Sequence, residues 1–147
     1  MINIDVVFKM ILFLWLLLCS IQDIMKREIS LIVILAGFVL LFTISIIKGK
    51  LLFWNRVGGL VLGVVLIILN KATRGQIGIG DGLVLCITGI SLGFYINSLL
   101  LIYGLLFAAI FSIIYMLVKK ASRKSSIPFI PFIFVALLGV LIDGKSL

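Results

Sequence analysis

The sequence predicts an all-α membrane protein, a polytopic bundle of about six transmembrane helices, and three observations carry that prediction. Of the 147 residues, 64% are hydrophobic, and the mean hydropathy is +1.44. A soluble globule of about 150 residues leaves roughly 30% of its unfolded-chain surface in water, and this composition could not cover such a surface with polar groups. The apolar residues also form long runs punctuated by charge, Gly and Asn, the pattern of successive spans. The third observation is that Lys and Arg collect at the breaks between the runs. Lipid is therefore the solvent for most of the chain, which forms one domain over residues 1–147.

The first run covers residues 4–21. Met1–Val7 carries no basic residue, Asp5 has the wrong sign, and no A-x-A-like site follows. The segment is expected to stay as a helix rather than be removed as a signal. A polar stretch from Gln22 to Glu28 leads to a second run, 30–47, which Lys48-Gly49-Lys50 ends. The third run is 51–69, with Arg56 placing its membrane part from about Val57, and a loop follows from Asn70 to Gln76. Asp81 opens a fourth, 81–94, and Tyr95-Ile96-Asn97-Ser98 reads as a weak break before a fifth, 98–118. After a basic stretch, Pro128 opens the sixth, 128–142, a good helix start because its missing N–H would be unpaired there. The third and fourth runs look short against the ~20 residues a bilayer asks for. A short helix is tolerated beside a water-filled cavity.

Thirteen Lys+Arg against five Asp+Glu give a formal charge of +8. Basic residues at span ends set topology and meet anionic lipid, so the charge implies a lipid bilayer as partner and no nucleic acid. With six spans, Lys26, Arg27, Lys71, Arg74, Lys119, Lys120, Arg123 and Lys124 fall on one side. Lys9, Lys48, Lys50, Arg56 and Lys145 fall on the other. The richer side is expected to be cytoplasmic. Small residues spaced four apart, Gly59 and Gly63 in the third run and Gly89 and Gly93 in the fourth, allow close helix approach in lipid. Generic packing explains them as readily as a bundle built around a site.

Two cysteines, Cys19 and Cys86, both within apolar runs, make neither a disulfide framework nor a zinc site. There is no histidine, which removes Ser-His and Cys-His nucleophile systems and His-ligated metals. No metal or cofactor is expected. What remains is two carboxylates, Asp23 and Asp81, at the edges of membrane runs. An ionisable group costs roughly 2.5–3.5 kcal/mol at a span centre and less toward its ends, so each is a candidate functional residue. Both fall on the side expected to be cytoplasmic. Two carboxyls brought together cannot both ionise cheaply and share a proton. One can then act as general base on water while the other polarises a carbonyl. Gly78 and Gly80, just before Asp81, remove side chains beside it, permit unusual backbone angles and let a substrate backbone come close. The competing reading is that Asp81 only N-caps the fourth helix.

Gly78-Ile79-Gly80-Asp81 resembles the GxGD motif of membrane-embedded aspartic peptidases. The stretch from Asp23 to Ser30, an Asp followed by a basic cluster and Ile, resembles the first catalytic segment of prepilin peptidases. Ile127-Pro128-Phe129-Ile130-Pro131-Phe132 is similar to the Pro-Phe-x-Pro-Phe segment near the end of that family, which adds Pro128 and Pro131 as motif residues. The order and the six-span length agree with the family over nearly the whole chain. Departures are Ile29-Ser30-Leu31 where members often have Ile-Pro-Asn, and Leu83 where many have Lys. The cytoplasmic region with paired cysteines that accompanies N-methylation in larger members has no counterpart here. The resemblance implies a short, peptidase-only form in the plasma membrane. Asp23 and Asp81 would cut the basic leader from type IV pilin-like precursors at the cytoplasmic face.

Two other classes compete: a small proton-coupled transporter, in which buried Asp residues relay protons, and a non-catalytic membrane assembly subunit. Transport predicts polar residues along several spans and inverted halves. The polar residues here gather at one face, with no internal repeat. Nothing in the sequence assigns an oligomeric state.

Overall fold

A computed structural model describes residues 4–49, 51–73, 78–119 and 128–142, and among them it holds six helices and no strand. These are α1 (Ile4–Lys26), α2 (Leu31–Lys48), α3 (Phe53–Ala72), α4 (Ile79–Leu92), α5 (Phe94–Lys119) and α6 (Ile130–Ile142). The all-α architecture is as the sequence predicts. Four helices, α1, α2, α3 and α5, are long and apolar enough to cross a membrane, whereas α4 and α6 have 14 and 13 residues. At 1.5 Å per residue each of these two is about 20 Å long, against a hydrocarbon core of ~30 Å.

Several helix ends differ from the sequence expectation. α1 continues through Asp23 to Lys26, so this carboxylate stands in the last helical turn and not in a loop. The third run is a full 20-residue helix that includes Asn70. The expected break at Tyr95–Ser98 lies inside α5, and the chain turns instead at Gly93, whose φ of +83° favours glycine. The reason is that Asn97 finds partners inside the protein. Its Nδ2 donates to the Gly59 and Leu85 carbonyls at 3.0 Å each, and its Oδ1 accepts from the Thr88 hydroxyl at 2.7 Å. A satisfied amide of this kind sits in a helix without breaking it.

α4 lies at the centre of the packing. It is held against α2, α3 and α5, while α1 packs on α2 and α6, and α5 on α6. The tightest contact is α3 on α4. A Cβ added to Gly59 would stand 2.2 Å from the Gly89 carbonyl oxygen, and one on Gly63 would stand 2.4 Å from the Cys86 amide. Gly82, at the other end of α4, is pressed on Ile67. The α4 surface is thus Gly82, Cys86 and Gly89, and Gly93 belongs to the turn and not to the helix contact.

One end of the bundle is tied by charge. Arg56 Nη1 donates to Ser45 Oγ at 2.7 Å and to the Ile90 carbonyl at 3.0 Å, and Nη2 donates to the Ser45 carbonyl at 2.8 Å. A guanidinium there satisfies last-turn carbonyls of α2 and α4 and meets the negative ends of both dipoles. Arg56 therefore lies inside the first turn of α3 and acts there as a clamp. Nearby, Lys48 Nζ pairs with Asp5 at 2.9 Å and lies 4.3 Å from the Phe8 ring centroid. Lys26, Arg27 and Lys71 stand at the opposite end, in agreement with the expected division. Lys50, Arg74, Lys120, Arg123, Lys124, Asp143 and Lys145 lie outside the described residues.

Candidate functional site

Both short helices begin at one place. α4 has its C-terminus tied to the Arg56 end, and its first turn stands level with the last turn of α3. The first turn of α6 stands at the same level, against the last turn of α1. Between them opens a cavity of about 850 Å³, lined by residues that include Asp23, Glu28, Asn70, Gly78, Asp81 and Phe129.

Asp23 reaches it from α1 and is buried. Its Oδ2 accepts the Ile130 amide at 3.0 Å, and the Phe129 amide also donates toward the carboxylate. These are N-terminal amides of α6, which no carbonyl within the helix can satisfy. Pro131 adds no donor to that turn, since it has no N–H. The proline-rich segment thus serves partly to seat Asp23: Pro128 and Phe129 line the cavity, while Pro131 stands in the helical turn behind them. The helix starts at Ile130 rather than at Pro128.

The turn before α2 brings a further wall. Arg27 adopts φ +54°, a left-handed conformation that turns the chain sharply after α1. The Gln22 side-chain oxygen accepts the Ser30 amide at 2.9 Å and closes the turn. Ile29 is thereby laid against α4, where a Cβ on Gly80 would meet its Cδ1 at 3.2 Å.

Asp81 is the third residue of α4, and Gly78 is the N-cap. The Gly78 amide donates back to the Asp81 carboxylate, as in the reciprocal half of a capping box. A Cβ on Gly78 would stand 2.9 Å from Asp81 Oδ2. Gly78 has φ −65°, and Gly80 is not among the positive-φ residues. Both glycines therefore serve by leaving room, not by the unusual backbone angles expected of them. The capping role and the cavity-facing role of Asp81 coexist. The two carboxylates are near enough that the charge of Asp23 acts on Asp81.

A model described as the type IV leader peptidase family matches residues 10–117. The chain belongs to the type IV leader peptidase family. Searches of curated proteins and of solved structures found no match to it. Membership implies a peptidase, and together with the apolar helices it makes this a multi-pass membrane protein. Asp23, Gly78, Gly80 and Asp81 lie within the matched residues, whereas Pro128 and Pro131 lie beyond them.

Sequence reasoning missed three polar residues on the cavity wall of this leader peptidase family member, Arg27, Glu28 and Asn70. The sequence assigns Arg27 to topology alone and Glu28 to a polar connector, although Glu28, as one of five acids in a basic chain, is a signal. For Asn70 the sequence suggests a loop, whereas it stands in the last turn of α3. Among the described residues, no three His, Cys, Asp or Glu side chains stand together so as to hold a metal ion.

Proposed function

We propose that this protein is an aspartic endopeptidase that removes the basic leader of type IV pilin-like precursors at the cytoplasmic face of the plasma membrane. The observation that carries the reading is the convergence of Asp23, from the last turn of α1, and Asp81, from the first turn of α4, on one cavity. Two carboxyls so placed hold one proton between them. The ionised one takes a proton from water, whose oxygen attacks the scissile carbonyl carbon, and the protonated one hydrogen-bonds the carbonyl oxygen. The tetrahedral intermediate then collapses as its nitrogen gains a proton from the dyad, the C–N bond breaks, and the shared proton is restored. The glycines at 78 and 80 leave space for a main chain beside Asp81. Family membership favours this reading over a proton-coupled transporter or an assembly subunit.

The test is cleavage of a leader-bearing precursor by the purified protein in vesicles. Activity is expected to survive chelators and serine- or cysteine-directed reagents. It should be bell-shaped in pH, falling at low pH when both carboxyls are protonated and at high pH when both are ionised. With S-adenosylmethionine present, the product should remain unmethylated. Chelator-sensitive cleavage, or activity flat across the carboxylate range, would count against the dyad.

The orientation has its own test. In a variant without Cys19 and Cys86, a cysteine at Met25, on the Asp23 end, should be labelled only from the cytoplasm. One at Trp54, on the Arg56 end, should be labelled only from outside. Both residues are exposed. Reversed labelling would move the cavity to the other face.

A further inference from the structure

We propose that Asn70 is a substrate-binding residue of the cleavage site, whose side-chain amide pairs with the main chain of the substrate beside the scissile bond. The proposal rests on the peptidase reading above and assigns to that site a residue outside its motifs.

The register of α3 on α4 sets its position. Gly59 packs on Gly89, Gly63 on Cys86, and Ile67 on Gly82, so the two antiparallel helices stay in step along the whole contact. The next step of the same α3 face is Asn70, which comes level with Gly78 and Ile79, the start of α4. Asn70 is 8% exposed and lines the cavity together with Asp81.

Among the described residues that line the cavity, Asn70 is the only uncharged side chain with hydrogen-bonding capacity. Asp23, Asp81 and Glu28 present carboxyl oxygens, Arg27 presents a guanidinium, and the remaining wall is aliphatic, aromatic or glycine. A peptide drawn into a cavity at a membrane edge loses water from its N–H and C=O groups and needs partners for both. A carboxamide offers one donor group and one acceptor in a plane, matching a peptide unit. The glycine-lined side of the cavity leaves the room for that peptide.

Asn70→Ala is expected to lower kcat/KM by about ten- to a hundredfold, the range for leaving a buried hydrogen-bonding partner unsatisfied. Asn70→Gln, with the same amide on a longer stem, should recover part of the loss. Because α3 could also be disturbed, the deciding measurement compares substrates within each variant. A precursor peptide is made with an ester replacing, one at a time, each amide within two residues of the scissile bond. At one such position the ester should slow the wild-type protein at least tenfold yet cost Asn70→Ala less than threefold. Equal costs in both proteins at every position would overturn the proposal, whatever the stability of the variant. Asp81→Asn is run beside them. If it still cleaves, the dyad reading itself fails. If it is inactive and the ester costs are equal, only the role of Asn70 falls.

Discussion

Asp23→Asn and Asp81→Asn are each expected to reduce cleavage of a leader-bearing precursor by about 10²–10⁴-fold, the contribution of a positioned acid or base. The choice of Asn matters. The Asp23 carboxylate accepts α6 amides and the Asp81 carboxylate accepts the Gly78 amide. An amide oxygen can keep one such bond at each site, so the variants should fold and insert while losing the shared proton. Removing both carboxyls should cost little more than removing one, since residues that act as a unit are not additive. Asp5→Asn is the control that separates chemistry from charge. It removes the carboxylate that pairs with Lys48, whose side chain is 6% exposed, at the opposite end of the bundle. That variant should melt at a lower temperature yet cleave at the wild-type rate once folded. Substantial turnover by either single variant at Asp23 or Asp81 would end the aspartic-peptidase reading.

The two carboxylates were legible because a charge at a membrane edge is costly and so is seldom there without a role. The proline-rich segment was legible only as a resemblance. Its contact with Asp23 joins residues more than one hundred positions apart and depends on how α1 meets α6. Asn70 and Asn97 show the opposite failure. Each ends or interrupts an apolar run, and by sequence alone each reads as a break in the chain. What decides between helix and loop at such a residue is whether its amide finds partners inside the bundle. For Asn97 those partners are the Gly59 and Leu85 carbonyls and the Thr88 hydroxyl, none of them within eight positions in sequence. The spacing of Gly59 and Gly63 correctly marked the contact face of α3. Which residues of α4 met it required the register, and there Gly82 and Cys86 replaced Gly93.

The glycines also carry the second large effect, because two of them should respond to the same substitution with different outcomes. Gly139→Ala adds a methyl group where, among the described residues and apart from its own helical turn, no atom lies within 4 Å. It removes a glycine from the interior of a helix, a change worth up to about 1 kcal/mol in favour of folding. Gly59→Ala places its Cβ against the backbone of Gly89, with the carbonyl oxygen 2.2 Å away and the carbonyl carbon at 2.6 Å. Backbone cannot swing aside as a flexible side chain can, so α3 and α4 must separate. Overpacking of this kind costs about 1–3 kcal/mol, and a rigid neighbour puts it at the upper end. Separation would also strain the Asn97 amide of α5, which bonds the Gly59 carbonyl of α3 and the Leu85 carbonyl of α4 at once. Thermal unfolding in detergent should therefore show Gly139→Ala at or above the wild-type midpoint and Gly59→Ala well below it. Because α3 carries Asn70 and α4 carries Asp81, cleavage by Gly59→Ala should fall even at temperatures where the variant remains folded. A Gly59→Ala protein as stable as Gly139→Ala would mean that the two helices do not meet in this register.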